Sequence, residues 1–139
     1  MTSIPLSATN VRRRSISGTT IGRIVTALPV LFLAFDTAIK FSNVPAVAET
    51  MNQLGYAPSA APIIGILELV CLAIYLVPRT AVLGAVLFTG YLGGAIASHV
   101  RVGNPLFSHE LFPAYLAALL WLGLYLREPR LRALLPLRK

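Results

Sequence analysis

The sequence predicts an all-α fold: a four-helix transmembrane bundle with a short external interfacial helix. Three observations carry this. Of the 139 residues, 56% are hydrophobic and only 12% charged, with a mean hydropathy of +0.75, whereas soluble domains run about a quarter charged. The apolar residues gather into four runs of spanning length. Proline- and glycine-bearing breaks separate those runs. A core this apolar has no polar surface left to cover it, so lipid is its solvent. That excludes an ordinary soluble globule, an acidic tail protein and a disordered chain.

Residues 1–22 are rich in Ser, Thr and Arg, carry no acid and read as a flexible basic cytoplasmic tail. Arg12-Arg13-Arg14-Ser15 before an apolar run suggests a secretory or twin-arginine signal, with Ala46-Val47-Ala48 as its cleavage site. Asp36 and Lys40 interrupt the approach to that site, so the reading adopted is an uncleaved first span over 24–41. Pro29 is a kink point there, which membrane helices tolerate when neighbours satisfy the backbone. Asn43-Val44-Pro45 ends the span. Residues 46–56 form an amphipathic segment too short to cross a bilayer, which lies along the interface and ends at Gly55. Pro58 and Pro62 reopen a helix, with Ser59 as its cap.

The second span covers 62–77, with Glu68 its only charge, and 78–80 is a tight turn. The third, over 81–98, is uncharged. Residues 99–108 form a loop with a Gly-Asn-Pro turn signal. The fourth span, over 111–126, is entered through His109 and Glu110, with Trp121 and Tyr125 toward its far end, where interfacial aromatics are common. Residues 129–139, punctuated by Pro129 and Pro136, form a second basic cytoplasmic tail, so the membrane domain is 23–128. The net charge is +7, and its placement orients the chain. With four spans, ten of the twelve Lys and Arg fall on the side of the termini and the 78–80 turn, and only Lys40 and Arg101 on the other. The positive-inside rule then puts both termini in the cytoplasm. The basic ends flank apolar spans and touch anionic headgroups; they show no nucleic-acid-binding motif.

A carboxylate at a bilayer centre costs about 2.5–3.5 kcal/mol on insertion scales, so charges within spans face the bundle interior and find partners. Asp36 and Lys40 lie four apart on one helical face in the favourable acid-first order; that spacing fits an intrahelical pair as well as a site. Glu68 has no basic neighbour in sequence, so its partner comes from another span: Lys40, Arg101 or His99. At about 1.5 Å per residue, Asp36, Glu68, His99 and His109 all fall in the outer half of one bundle. Glu68, His99 and Asp36 are the candidate catalytic residues, and Lys40, Arg101 and His109 the candidate substrate-binding ones. No metal site is expected: His99, His109, Glu110 and Glu68 lack a compact ligand spacing. Cys71 is the one cysteine and reads as a buried small hydrophobe. Gly90, Gly94 and Ser98 form a small-residue face that suits packing within the subunit, with room for a flat ligand ring as the other reading.

The stretch GYLGGAIASHVRVGNPLFSHELFPAYLAALLWLGLYLREPRLRALLP, residues 90–136, resembles the DoxX-like family of four-helix bacterial membrane proteins. Residues 65–87 resemble the same family's second helix and turn. His99-Val100-Arg101, Gly103-Asn104-Pro105 and Phe107-Ser108-His109 carry the closest local matches, and Glu68 falls where the family places an acid in its second helix. The resemblance implies the fold, a bacterial cytoplasmic (inner) membrane location and an association with redox homeostasis. This chain lacks the paired cysteines of a thiol relay.

Three functions follow as expectations. The first is a redox-associated subunit with a pocket for a quinone or similar lipophilic small molecule, no covalent cofactor, and a redox partner protein as electron source. The second is a non-catalytic scaffold or chaperone-like membrane protein, and the third a stand-alone acid–base enzyme, an isomerase or epoxide-opening enzyme, acting on a lipophilic substrate. The lipid bilayer is the expected partner, and homo-oligomerisation is open.

Overall fold

A computed structural model describes residues 18–42 and 44–134. Six α-helices follow in chain order: α1 (Gly18–Lys40), α2 (Pro45–Gln53), α3 (Ala61–Leu76), α4 (Ala81–Arg101), α5 (Phe112–Arg127) and α6 (Pro129–Leu134). A 3₁₀ turn at Pro58–Ala60 leads into α3, and a π-helical turn at Leu106–Glu110 leads into α5. There is no strand among the described residues. With their lead-in turns, α1, α3, α4 and α5 are each long and apolar enough to cross a bilayer. The expected all-α four-helix bundle is what the chain forms.

The buried residues show why these helices pair. On α1 they are Gly22, Thr26, Pro29, Leu33 and Thr37, a three-to-four-residue spacing that makes one stripe. On α4 they are Ala81, Gly84, Ala85, Phe88 and Leu92, and on α5 Pro113, Leu116, Leu120, Gly123 and Leu124. The outward faces are as apolar as the inward ones. Ile24, Leu28, Leu31 and Phe35 on α1, and Ile63, Ile66, Leu67 and Val70 on α3, are exposed. Such continuous apolar faces are stable only against lipid, so the chain is a multi-pass membrane protein. Consecutive spans pack together, and α5 returns against α1 to close the ring.

The two ends of the bundle differ. At the Arg127 end the helices touch backbone to backbone. A Cβ on Gly22 would lie 2.8 Å from the Gly123 carbonyl oxygen, and one on Gly84 would lie 2.7 Å from the Tyr75 Cβ and closer still to its backbone. Only glycine permits those approaches. Tyr75, Phe88, Leu120 and Leu124 fill the space between, and the Tyr75 hydroxyl donates to the Leu120 carbonyl at 2.8 Å. The Arg127 guanidinium covers the Tyr75 ring at 5.1 Å.

Several boundaries depart from the sequence reading. Helix α1 reaches back to Gly18 and runs on through Pro29, which is buried in the packed stripe. Helix α4 continues through His99 to Arg101, beyond the expected end at Ser98; the apolar face carries it on until Gly103 takes φ +68°. Ser59 does not cap α3, whose N-cap is Ala60, without a side-chain bond. Pro129 opens a helix instead of punctuating a tail, and Leu131 anchors it by burial. Residues 1–17, with the arginine run, and the tail beyond Leu134 lie outside the described residues.

Candidate functional site

At the Lys40 end the spans line a cavity of about 460 Å³. Helix α1 contributes Phe32, Leu33, Asp36 and Lys40. From α3 come Ile64, Leu67 and Glu68, and from α4 Gly90, Tyr91, Gly94, Ser98 and His99. The start of α5 adds Phe112, Pro113 and Leu116. Thr50, Met51, Leu54 and Tyr56, from α2 and the residues after it, close the end. Phe32, Tyr56, Leu67 and Phe112 are themselves exposed, so the cavity reaches the outside of the bundle.

Its polar centre is one amine between two carboxylates. The Lys40 ammonium donates to Asp36 one turn before it on α1, and to Glu68 Oε2 on α3 at 2.8 Å. The Tyr91 hydroxyl on α4 donates to the same Oε2 at 3.2 Å. Three helices are thus tied through one carboxyl oxygen. The Glu68 side chain is 0% exposed, against 11% for Lys40 and 39% for Asp36. Its other oxygen, Oε1, is buried and has no hydrogen-bond partner among the described residues. A buried polar atom left so costs about 1–3 kcal/mol, more when charged.

The segment across the cavity's end is latched by α4. Arg101 donates to the Leu54 carbonyl oxygen and stacks over the Tyr56 ring at 5.3 Å from its centre. The Tyr56 hydroxyl and Ser98 Oγ lie 2.7 Å apart. Gly55, between Leu54 and Tyr56, takes φ +73°, a conformation that favours glycine, and this turns the chain back over α4. His99 bonds Asn104 through Nδ1 at 2.8 Å, His109 bonds Ser108 through Nδ1 at 2.8 Å, and the two imidazoles meet edge to face, 5.8 Å between centres.

Of the six candidate residues, the fold brings Asp36, Lys40, Glu68 and His99 to the cavity wall. Arg101 instead holds the Leu54 carbonyl, and His109 packs on His99 without lining the cavity. Glu68's partner is Lys40, one of the three foreseen. No group of three His, Cys, Asp or Glu residues that could hold a metal occurs among the described residues. The small-residue face of α4 departs from the packing expectation: a Cβ on Gly90, Gly93 or Gly94 would meet nothing within 4 Å. Gly90 and Gly94 leave the cavity open instead. Sequence reasoning missed Tyr91 and the aromatic wall of Phe32, Tyr56 and Phe112. Tyr91 was findable, because it lies on the face of Gly94 and Ser98 at helical spacing.

The DoxX-like family model matches residues 24–123, which covers all of the first three spans but the start of α1, and α5 as far as Gly123. The chain belongs to the DoxX-like family. No curated protein and no solved structure matches it. As a DoxX-like protein it has the four membrane-crossing helices the family resemblance implied. The match also spans every residue of the Asp36–Lys40–Glu68–Tyr91 cluster, so the polar centre belongs to the family's domain and not to an appended tail.

Proposed function

We propose that this DoxX-like protein binds a lipophilic small molecule in the cavity between its spans. One observation carries the reading: a 460 Å³ space, mostly apolar-walled, is lined by Glu68, whose carboxyl is fully buried and has one oxygen without a hydrogen-bond partner among the described residues. Small-molecule sites have this build, a concave apolar wall with a few placed polar groups. A bundle whose polar cluster served only to lock the helices would close around it. Phe32 lies eight residues, about 12 Å along the helix, from Lys40, at a depth where the surroundings are lipid. A molecule dissolved in the bilayer therefore reaches the cavity sideways.

In this reading Glu68 anchors the polar head, Lys40 and Tyr91 hold Glu68 in place, and Asp36 balances Lys40. His99 and Ser98 face the other end of the cavity, about 10 Å away along α4. A quinone is one candidate occupant, with electrons supplied by a partner protein. The Lys and Arg distribution supports placing both termini in the cytoplasm; that orientation, with an inner-membrane location, belongs to the same proposal, as does the division into a membrane domain with two basic tails.

Native mass spectrometry of protein extracted gently from its own membrane tests the reading. We expect a bound lipophilic compound that is lost in Glu68→Gln. Wild-type protein carrying only phospholipid, in the same pattern as the variant, contradicts it and favours the scaffold reading.

A further inference from the structure

The chemistry of the head group can be narrowed further, on the basis of the lipophilic-pocket reading above. Three charged side chains line the cavity: Asp36, Glu68 and Lys40. One ammonium therefore faces two carboxylates. Lys40 already spends one contact on Asp36 and one on Glu68 Oε2, and Tyr91 adds a second donor to that same Oε2. The surplus acceptor is Oε1 of Glu68, on a side chain that is fully buried and lines the cavity. A group that brings both a hydrogen-bond donor and one positive charge would satisfy Oε1 and bring the cluster to neutrality.

The rest of the wall suits such a group. Besides Tyr56, over whose ring Arg101 already lies, three benzenoid rings line the cavity: Phe32, Tyr91 and Phe112. Phe32 and Phe112 meet edge to face, their centres 5.1 Å apart. Aromatic faces attract cations, more strongly where water is excluded. Gly90 and Gly94, with open space where a Cβ would stand, leave a slot for the apolar body beside Tyr91. A quinone offers only acceptor oxygens, and Oε1 as a carboxylate is an acceptor too, so the two do not pair without an added proton.

We infer that the cavity takes a lipophilic ammonium, a primary amine in its protonated form on an alkyl or aryl body, with its N–H on Glu68 Oε1. The protein itself shows the pairing, since Lys40's own ammonium sits on the same two carboxylates. The same head chemistry occurs on a free amine and on an aminophospholipid headgroup.

Binding of 4-octylbenzylamine, 4-octylbenzyl alcohol and decyl-benzoquinone to the full chain tests this, in phosphatidylcholine nanodiscs with empty discs as blanks. Charge-assisted hydrogen bonds are about twice as strong as neutral ones, so the amine should bind about ten-fold or more tightly than the alcohol. Glu68→Gln should abolish that preference. Asp36→Asn keeps the Lys40–Glu68 pair, and therefore the fold, yet leaves one carboxylate against one ammonium; it should bring amine and alcohol to near parity even where Glu68→Gln fails to fold. Displacement of the amine by added phosphatidylethanolamine assigns the site to a lipid headgroup, and its absence assigns it to a free amine; both uphold the ammonium. Equal binding of amine and alcohol, or tighter binding of the quinone, overturns the ammonium and leaves the lipophilic pocket standing. No binding of any of the three above the empty discs overturns both.

Discussion

Glycine does opposite work in the two halves of this bundle. At the Arg127 end, Gly22, Gly84 and Gly123 let helices touch, and a methyl group at any of them would strike a neighbour's backbone. At the Lys40 end, a Cβ on Gly90 or Gly94 would meet nothing within 4 Å, and the lack of a side chain there keeps a cavity open. The same residue type, on the same helix α4, seals one half and hollows the other. Buried polar atoms without a hydrogen-bond partner among the described residues occur in both halves, Thr26 Oγ1 and an Arg127 guanidinium nitrogen in the sealed one and Thr37 Oγ1 and Glu68 Oε1 in the open one; of these four residues Glu68 alone lines the cavity. One half holds the helices together, and the other is held open by them.

The ion cluster lies where packing and site meet. Lys40→Met strips Glu68 of its cation and leaves a buried charge beside Asp36. Removing one partner of a buried pair costs about 3–5 kcal/mol, so thermal unfolding in detergent should fall by the largest amount of any change here. An unaltered melting temperature would show that the cluster bears no charge in the folded protein.

Next comes the sealed half. Gly84→Ala drives a Cβ into the Tyr75 backbone and should cost about 1–3 kcal/mol, as overpacking does, seen as an earlier unfolding midpoint in a denaturant titration. The latch over the cavity is weaker. Arg101→Ala removes the bond to the Leu54 carbonyl and the stacking on Tyr56. It should cost about 1–2 kcal/mol, and amide hydrogen exchange should quicken over 45–56 with the spans unchanged. Exchange rising equally in α5 would mean that Arg101 supports the whole bundle.

The smallest effect sharpens the contrast most. Gly94→Ala meets open space and gains helix propensity, so stability should hold or rise by up to about 1 kcal/mol. The same substitution at Gly84, three turns earlier on α4, should do the opposite in the same melting experiment.

Much of the fold was legible in the sequence because the solvent dictates it. Four apolar runs with charged ends admit few arrangements, and the spans fell close to where hydropathy put them. Element ends were less legible. His99 and Arg101 read as loop residues because they are polar, yet a helix emerging from the apolar zone continues until a turn residue stops it, here Gly103. The site was half legible. Asp36, Lys40 and Glu68 stood out because charges inside spans must converge, and the fold pairs them. Arg101 and His109 did not follow, because nearness along a loop says nothing about which group a long side chain reaches. Tyr91 was hidden among uncharged residues. The open face at Gly90 and Gly94 could not be told from a packing face, since small-residue spacing is the same for both.

The most direct test of the two-half account fills the cavity without touching the packing. Gly94→Leu places an isobutyl group in open space on the cavity wall. Compared with wild type by native mass spectrometry and thermal unfolding, it should lose the co-extracted lipophilic molecule while its melting temperature stays within about 3 °C. Retention of that molecule in the variant, or unfolding as severe as in Gly84→Ala, would contradict the claim that the Lys40 half is a binding site held open by glycine.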